Sequence, residues 1–154
     1  MLPALLPAQQ LSLLQARESA DRVPALEISM RLDLGTQATE ALESGLALGY
    51  QVRWQLADGR ELSQGVTLRY SPLLRAYALS LGNAPAQTYA LRNAMLAAFE
   101  QARLRFDEAA ACASACGGRV RVALDRARLP ASLRLPALLQ PDWAFDSGWH
   151  EVQR

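Results

Sequence analysis

The sequence contains no lysine, so all 16 of its basic residues are arginine, and they stand against 15 acidic residues for a net charge of +1. With so small a charge surplus, the composition gives no electrostatic sign of a nucleic-acid partner or an anionic membrane surface. Arginine suits carboxylate and phosphate binding, but arginine without lysine is also typical of a genome with GC-rich codons, and the scattering of the arginines along the chain favours that explanation. No nucleic-acid binding is predicted.

Long apolar runs are also absent, and no stretch approaches the ~18–20 apolar residues of a membrane-spanning helix. No transmembrane segment is therefore predicted. The first residues are apolar, but they lack a basic start, and Pro3 and Pro7 interrupt them, so no signal peptide is evident. Composition leaves two alternatives open: a protein made without an export signal, or one whose signal has been removed.

Metal-ligand and phosphate-binding motifs are missing as well. With two cysteines and one histidine, the chain is short of the about four ligands that a zinc site requires, and no glycine-rich phosphate loop occurs. Cys112 and Cys116 lack the spacing of a Cys-x-x-Cys redox site. They are a candidate disulfide, expected to form in the periplasm and to stay reduced in the cytosol. No metal or cofactor is predicted.

At 154 residues the chain has the length of one domain with its own core. Residues 1–24 contain three prolines and predict a loosely ordered N-terminal arm with one short helix around Leu11–Glu18. Residues 25–154 are predicted to form a single α+β domain.

Alternating apolar residues predict the strands of this domain. The predicted strands cover residues 26–34, 46–56, 61–70, 77–81 and 119–125. Asp58-Gly59 is typical of a hairpin turn, and Gly65 is a candidate β-bulge.

Two helices are predicted between these strands. The first covers Thr36–Gly45, with Thr36 as N-cap and Gly45 as the C′ residue, and the second follows helical spacing from Leu91 to Phe106. The order β-α-β-β-β-α-β predicts an α+β fold: an antiparallel sheet of about five strands, helices on one face and an aromatic C-terminal tail.

The tail and the last strand hold the candidate binding residues. Trp143 and Trp149 form an apolar cluster that is either part of the core or a surface for a partner or ligand. The one local concentration of charge consists of Arg119, Arg121, Arg126, Arg128 and Arg134. Arg119 and Arg121 lie on one face of the last strand, which predicts either a solvated face or a site for an anion or acidic partner.

Catalytic residues are not predicted. Asp146, Ser147 and His150 have the residue types of a hydrolytic triad, but they lack a rigid elbow and an oxyanion hole. The pairs Asp107-Glu108 and Asp142/Asp146 are interpreted as helix-end and turn residues rather than as acid–base carboxylates.

Three segments resemble a family of uncharacterised bacterial proteins, the domain of unknown function numbered 4390. They are the strand and turn Val66–Tyr77, the segment Tyr89–Leu96 that leads into the second helix, and the strand Arg119–Pro130 with the proline–tryptophan ending that runs to Trp149. The resemblance covers roughly Leu26 to Val152.

This resemblance implies a small protein of the bacterial cell envelope or periplasm, often encoded near a nitrogen-type sensor kinase. Many members carry an export signal, which this chain lacks, and the segment Cys112–Gly118 is not typical of the family. The family brings no established activity, cofactor or catalytic residues.

Two functions are therefore expected as alternatives. The first is a non-enzymatic accessory or protein-interaction domain of the envelope, with an envelope protein or sensor kinase as partner and the exposed sheet face or an edge strand as docking surface. The second is a small-ligand binding domain with a cleft between sheet and helices near Tyr50, Trp54 and Phe99. The sequence does not predict the oligomeric state.

Overall fold

The computed structural model describes residues 10–19, 24–106, 112, 116–133 and 143–153. The strands are β1 (Leu11–Ser19), β2 (Ala25–Leu32), β3 (Leu48–Gln55), β4 (Glu61–Ser71), β5 (Ala76–Leu81), β6 (Gln87–Tyr89), β7 (Gln101–Arg105), β8 (Arg119–Leu124) and β9 (His150–Glu151). The helices are α1 (Gly35–Glu43) and α2 (Arg92–Glu100), with a 3-10 turn at Arg126–Arg128. The predicted α+β class is confirmed.

The described strands form two antiparallel sheets, where one sheet of about five strands was expected. The larger has the order β6-β5-β4-β3-β8-β9 and contains the predicted meander, and the smaller has the order β1-β2-β7. Both helices contact the inner face of the larger sheet: Phe99 of α2 packs on Tyr50, and Glu43 of α1 accepts a hydrogen bond from Tyr77.

The prediction of a helix around Leu11–Glu18 within a loose arm is wrong. These residues form β1, which pairs with β2 along its length and buries Leu11, Leu13 and Ala16. A register shift between Leu13 and Gln15 breaks the alternation, which is why the sequence does not show a strand here. The ordered domain therefore includes residues before Ala25, and residues 1–9 lie outside the described ranges.

The second helix is shorter than predicted. It ends at Glu100, and the next residues form β7 against β2. Ala102, Leu104 and Phe106 are buried at alternate positions, and two of these three also fit a helical spacing of four, so periodicity alone misassigned them.

Three local predictions have mixed outcomes. Gly45 is the C′ residue of α1, with φ +98°, and the amides of Gly45 and Leu46 donate to the carbonyls of Leu42 and Ala41 in a Schellman motif. Thr36 is not the N-cap, which is Leu34 without a side-chain hydrogen bond. Gly65 is not a bulge, because the β3–β4 register runs through it without a shift.

The expected cleft is occupied by side chains. Tyr50, Trp54 and Phe99 are fully buried between the larger sheet and α2. The ring of Tyr50 lies 5.2 Å from that of Phe99, and Trp54 lies 5.3 Å from Phe106 and donates its Nε1–H to the Gly117 carbonyl. Burial raises the pKa of the Tyr50 hydroxyl.

The C-terminal segment joins the two sheets. Strand β9 pairs with β8 of the larger sheet, while the backbone of Gln153 exchanges hydrogen bonds with Ala16 and Glu18 of β1. The tail is thus an integral part of the fold, and it positions the residues between Trp143 and His150.

Candidate functional site

Trp143 belongs to the core. Its side chain is 1% exposed, and its Nε1–H donates to Gln37 Oε1 at 2.8 Å. Its ring lies edge-on to Phe145 at 6.4 Å. Of the two alternatives for this residue, a partner surface is therefore wrong, because the indole is covered by the protein itself.

Trp149 lies instead on the outer face of the larger sheet, together with Arg119 and Arg121. The guanidinium carbon of Arg119 is 4.6 Å from the centroid of the Trp149 ring, and that of Arg53 is 5.4 Å from it. Both distances fall within cation–π range. We call this surface the arginine–tryptophan face; its residues are Arg53, Arg119, Arg121, Arg128 and Trp149.

The β3–β8 register places two of these arginines directly opposite each other. Arg53 pairs with Arg121, and like charges in that position destabilise a sheet. Each has one carboxylate partner: Arg53 donates to Glu61 at 2.6 Å, and Arg121 binds Asp146 through two nitrogens. Hydrogen bonds from these arginines hold the pKa of Glu61 and of Asp146 below the usual range and raise that of Arg121.

The other two arginines have neutral partners. Arg119 donates from Nε to the amide oxygen of Gln55 at 2.6 Å, and Arg128 donates from Nη2 to the hydroxyl of Thr67 at 3.1 Å. Among the described residues, no carboxylate lies within ion-pair distance of either. Arg119 still helps to lower the pKa of Glu61 and lies opposite Glu151 in the β8–β9 register, so the face has four arginines of which two form ion pairs among the described residues.

Gly49 makes room for Arg128 on the sheet, and Gly65 lies beside it. A Cβ atom at Gly49 would lie 2.5 Å from Arg128 Nη1, and one at Gly65 would lie 3.7 Å from it. The sequence placed Arg128 in the same local concentration of arginine as Arg119 and Arg121, but it gave no reason to put Arg128 on the sheet face. The available signal was glycine within two paired strands, which often marks close approach of another group to the backbone.

A disulfide corner positions Arg119. Cys112 and Cys116 are bonded, with Cα atoms 5.5 Å apart, and Glu18 of β1 accepts hydrogen bonds from the amides of Cys116 and Gly117 at 2.6 and 3.1 Å. Gly118 follows with φ +87°, and a Cβ there would lie 2.0 Å from a backbone oxygen. Only glycine fits this approach, which brings β8 and Arg119 beside β3.

An open groove of about 430 Å³ lies beside Trp149. Gln55 and Arg119 line one part of it, and His150 and Glu151 line another. The groove combines one guanidinium and an indole with a carboxylate at its margin, so it can accept a short polar chain alongside the aromatic ring.

The structure does not assemble a hydrolytic triad from Asp146, Ser147 and His150. Asp146 binds Arg121, and the Ser147 hydroxyl accepts from the Val122 amide while donating to the Gly148 carbonyl. His150 Nε2 contacts the Ser147 carbonyl oxygen at 3.0 Å rather than the hydroxyl. Asp107, Glu108 and Asp142 lie outside the described ranges.

Comparison with known proteins gives one match. No curated protein matches the chain, and no solved structure matches it either. Within the described ranges, no helix is both long enough and apolar enough to cross a bilayer. A family model, described as "Domain of unknown function (DUF4390)", matches residues 8–153. Since this match covers nearly the whole chain, the protein belongs to the DUF4390 family.

Proposed function

We propose that this protein is a non-enzymatic accessory or protein-interaction domain of the bacterial cell envelope, and that its arginine–tryptophan face binds an acidic segment of a partner protein. One observation carries the proposal. Arg119 and Arg128 form no ion pair with a carboxylate of the described residues, and Arg119 lies against the partly exposed indole of Trp149.

The chemistry of this face suits carboxylates. A guanidinium binds a carboxylate through two parallel hydrogen bonds, and an indole offers flat apolar area to the methylene groups of a Glu side chain. Tryptophan and arginine are also the residues that most often dominate protein interfaces. An acidic partner would in addition offset the repulsion between Arg53 and Arg121.

Two observations support an envelope setting. The Cys112–Cys116 disulfide is of the kind that persists in oxidising compartments, and the family resemblance points to the same place. An envelope protein or sensor kinase is therefore the proposed partner. A small-ligand cleft near Tyr50, Trp54 and Phe99 is not proposed, because these side chains fill that space.

Crosslinking in the native bacterium tests this proposal. Tagged wild-type protein, an Arg119→Gln/Arg128→Gln variant and an Arg31→Gln control are crosslinked and recovered, and the captured proteins are identified by mass spectrometry. Arg31 is an exposed arginine on β2 of the other sheet. We expect one envelope protein with an acidic segment to be captured by wild type and control and lost with the double variant. Equal capture by all three contradicts the proposed face.

A thiol count on the recovered wild-type protein tests the compartment separately. Oxidised Cys112 and Cys116 are expected for a protein that works in the envelope. Free thiols in freshly trapped protein would contradict the envelope setting while leaving the arginine–tryptophan face open to an acidic partner elsewhere.

A further inference from the structure

The turn between β4 and β5 exposes two adjacent leucines. Leu73 is 93% exposed and Leu74 is 74% exposed, at the end of a hairpin in which Arg75 has φ +50°. A singly exposed leucine is ordinary on a protein surface, whereas two adjacent leucines this exposed form a contiguous apolar patch that the rest of the fold does not cover. Leu91, also exposed, follows Tyr89 at the same end of the sheet.

A row of tyrosines crosses the sheet just inside this turn. Tyr70, Tyr77 and Tyr89 are register partners across β4, β5 and β6, and the rings of Tyr70 and Tyr77 lie 4.6 Å apart. All three rings pack against the core, and the hydroxyls of Tyr77 and Tyr89 donate to Glu43 and Gln87, so the row fixes this end of the hairpin to the rest of the fold.

The charge around the turn has one sign. From Leu62 to Phe99 the sequence contains no Asp or Glu, and it contains Arg69, Arg75 and Arg92. Arg69 and Arg75 flank the turn, and no ion pair involves them among the described residues.

The carboxylate of Glu43, near this end of the sheet, already has two hydrogen-bond donors. Glu43 of α1 accepts hydrogen bonds from Tyr77 at 2.6 Å and from Arg92 at 2.7 Å. The hydrogen bond from Tyr77 and the charge of Arg92 hold the pKa of Glu43 below its usual range. Glu43 therefore neutralises Arg92, and the turn itself keeps the charge of Arg69 and Arg75.

We propose that the β4–β5 turn docks this protein on an anionic lipid surface. Leu73 and Leu74 enter the boundary between headgroups and acyl chains, and Arg69 and Arg75 contact lipid phosphates. Strand β4 has 11 residues and is about 35 Å long. Its far end, where Glu61 binds Arg53, therefore stays clear of the bilayer, and that part of the arginine–tryptophan face remains open to the acidic partner proposed above. Arg128, which donates to Thr67, lies closer to the turn.

Sedimentation with vesicles tests this inference on the full chain. One vesicle type is phosphatidylcholine alone, and the other contains equal parts of phosphatidylcholine and phosphatidylglycerol. We expect wild-type protein to sediment with the anionic vesicles. Leu73→Asp/Leu74→Asp should weaken partitioning roughly tenfold or more, because it removes the inserted apolar area and adds two repelled charges.

Two further variants separate lipid contact from general effects. Arg69→Gln/Arg75→Gln should weaken anionic binding about fivefold per arginine. Leu14→Asp, at a leucine on β1 that is 60% exposed, should bind as wild type does. All three changes are at surface positions, so unchanged thermal unfolding is expected and shows that they fold.

Three results would overturn the inference. The first is wild-type protein that stays in the supernatant with both vesicle types, which would leave the exposed leucines to a protein partner. The second is equal loss of binding with Leu14→Asp. The third is loss with Arg119→Gln/Arg128→Gln but not with the leucine variant, which would place lipid contact on the arginine–tryptophan face.

Discussion

Trp143 and Trp149 are six positions apart in one tail, yet the fold uses them in opposite ways. Trp143 is sealed in the core, where its only polar atom donates to Gln37. Trp149 lies partly exposed on the sheet, where its neighbours are the guanidinium groups of Arg53 and Arg119. The first arrangement satisfies a buried indole, and the second leaves an aromatic face and positive charge accessible to another molecule.

This difference shows that the environment of a tryptophan, rather than its presence in the sequence, decides whether its ring is sealed in the core or accessible at the surface. Residues 144–148 connect the two tryptophans and hold them in different environments. The carbonyl of Phe145 and the amide of Ser147 form hydrogen bonds with the backbone of β8. The chain thereby passes from the core around the edge of β8 to the outer face. Changes on either side of this crossing should therefore affect different properties.

The largest expected effect is on the core side. Trp143→Ala removes a fully buried indole and leaves Gln37 without its partner, so it should lower the free energy of unfolding by about 3–5 kcal/mol. Chemical denaturation monitored by circular dichroism measures this loss. A midpoint close to that of wild type would show that Trp143 is not the structural tryptophan.

The disulfide corner should have the next largest effect. Cys112→Ser/Cys116→Ser opens a five-residue ring, which should cost about 2 kcal/mol in the chain-entropy account. The corner holds Arg119 beside Gln55, so acidic-partner binding should weaken as well. Denaturation with and without reductant measures the contribution of the disulfide to the free energy of unfolding. A variant as stable as the oxidised protein contradicts a stabilising role for the disulfide.

Asp146→Asn should have a smaller, pH-dependent effect on the binding side. Hydrogen bonds from Arg121 hold the pKa of Asp146 below its usual range, so the ion pair stabilises the fold at pH values above the ordinary pKa of Asp. This stabilisation is lost as the pH falls through the lowered folded pKa. Because the pair is partly exposed, the variant should lose at most about 1 kcal/mol at neutral pH.

Unfolding of Asp146→Asn and wild type across acidic pH measures this dependence. The difference between the two proteins should shrink as the pH falls below the ordinary pKa of Asp. A difference that grows on acidification would have the wrong sign for a carboxylate with a lowered pKa.

Trp149→Ala should have the smallest effect on stability. Its indole is partly exposed and contacts two arginines, so the expected loss of unfolding free energy is about 1 kcal/mol or less. A loss as large as that of Trp143→Ala would remove the distinction between the two tryptophans.

The sequence predicted those parts of the fold whose signals are local. Unbroken alternation located β2, β3 and β8, and Asp58-Gly59 located the β3–β4 turn. Strand β1 was missed because its shift after Leu13 breaks the alternation. Strand β7 was missed because Ala102 and Phe106 are spaced by four residues, which fits both the alternation of a strand and the repeat of a helix. Pairing with β2 makes this segment a strand.

The candidate site was predicted in part for the same reason. Arg119 and Arg121 share a face within one strand, so the sequence already shows them together. Arg53 joins them only through pairing of β3 with β8, and Trp149 only through the path of the tail. Such contacts between distant segments depend on tertiary packing, which no local pattern contains.

A fluorescence titration with a polyglutamate peptide tests the central claim most directly. Because Trp54 and Trp143 are buried, a change in emission on binding reports mainly on Trp149. We predict a saturable change that weakens with added salt, weakens about tenfold with Arg119→Gln and does not occur with polylysine. No change with polyglutamate, or the same change in wild type and Arg119→Gln, would contradict an acidic-partner site on the arginine–tryptophan face.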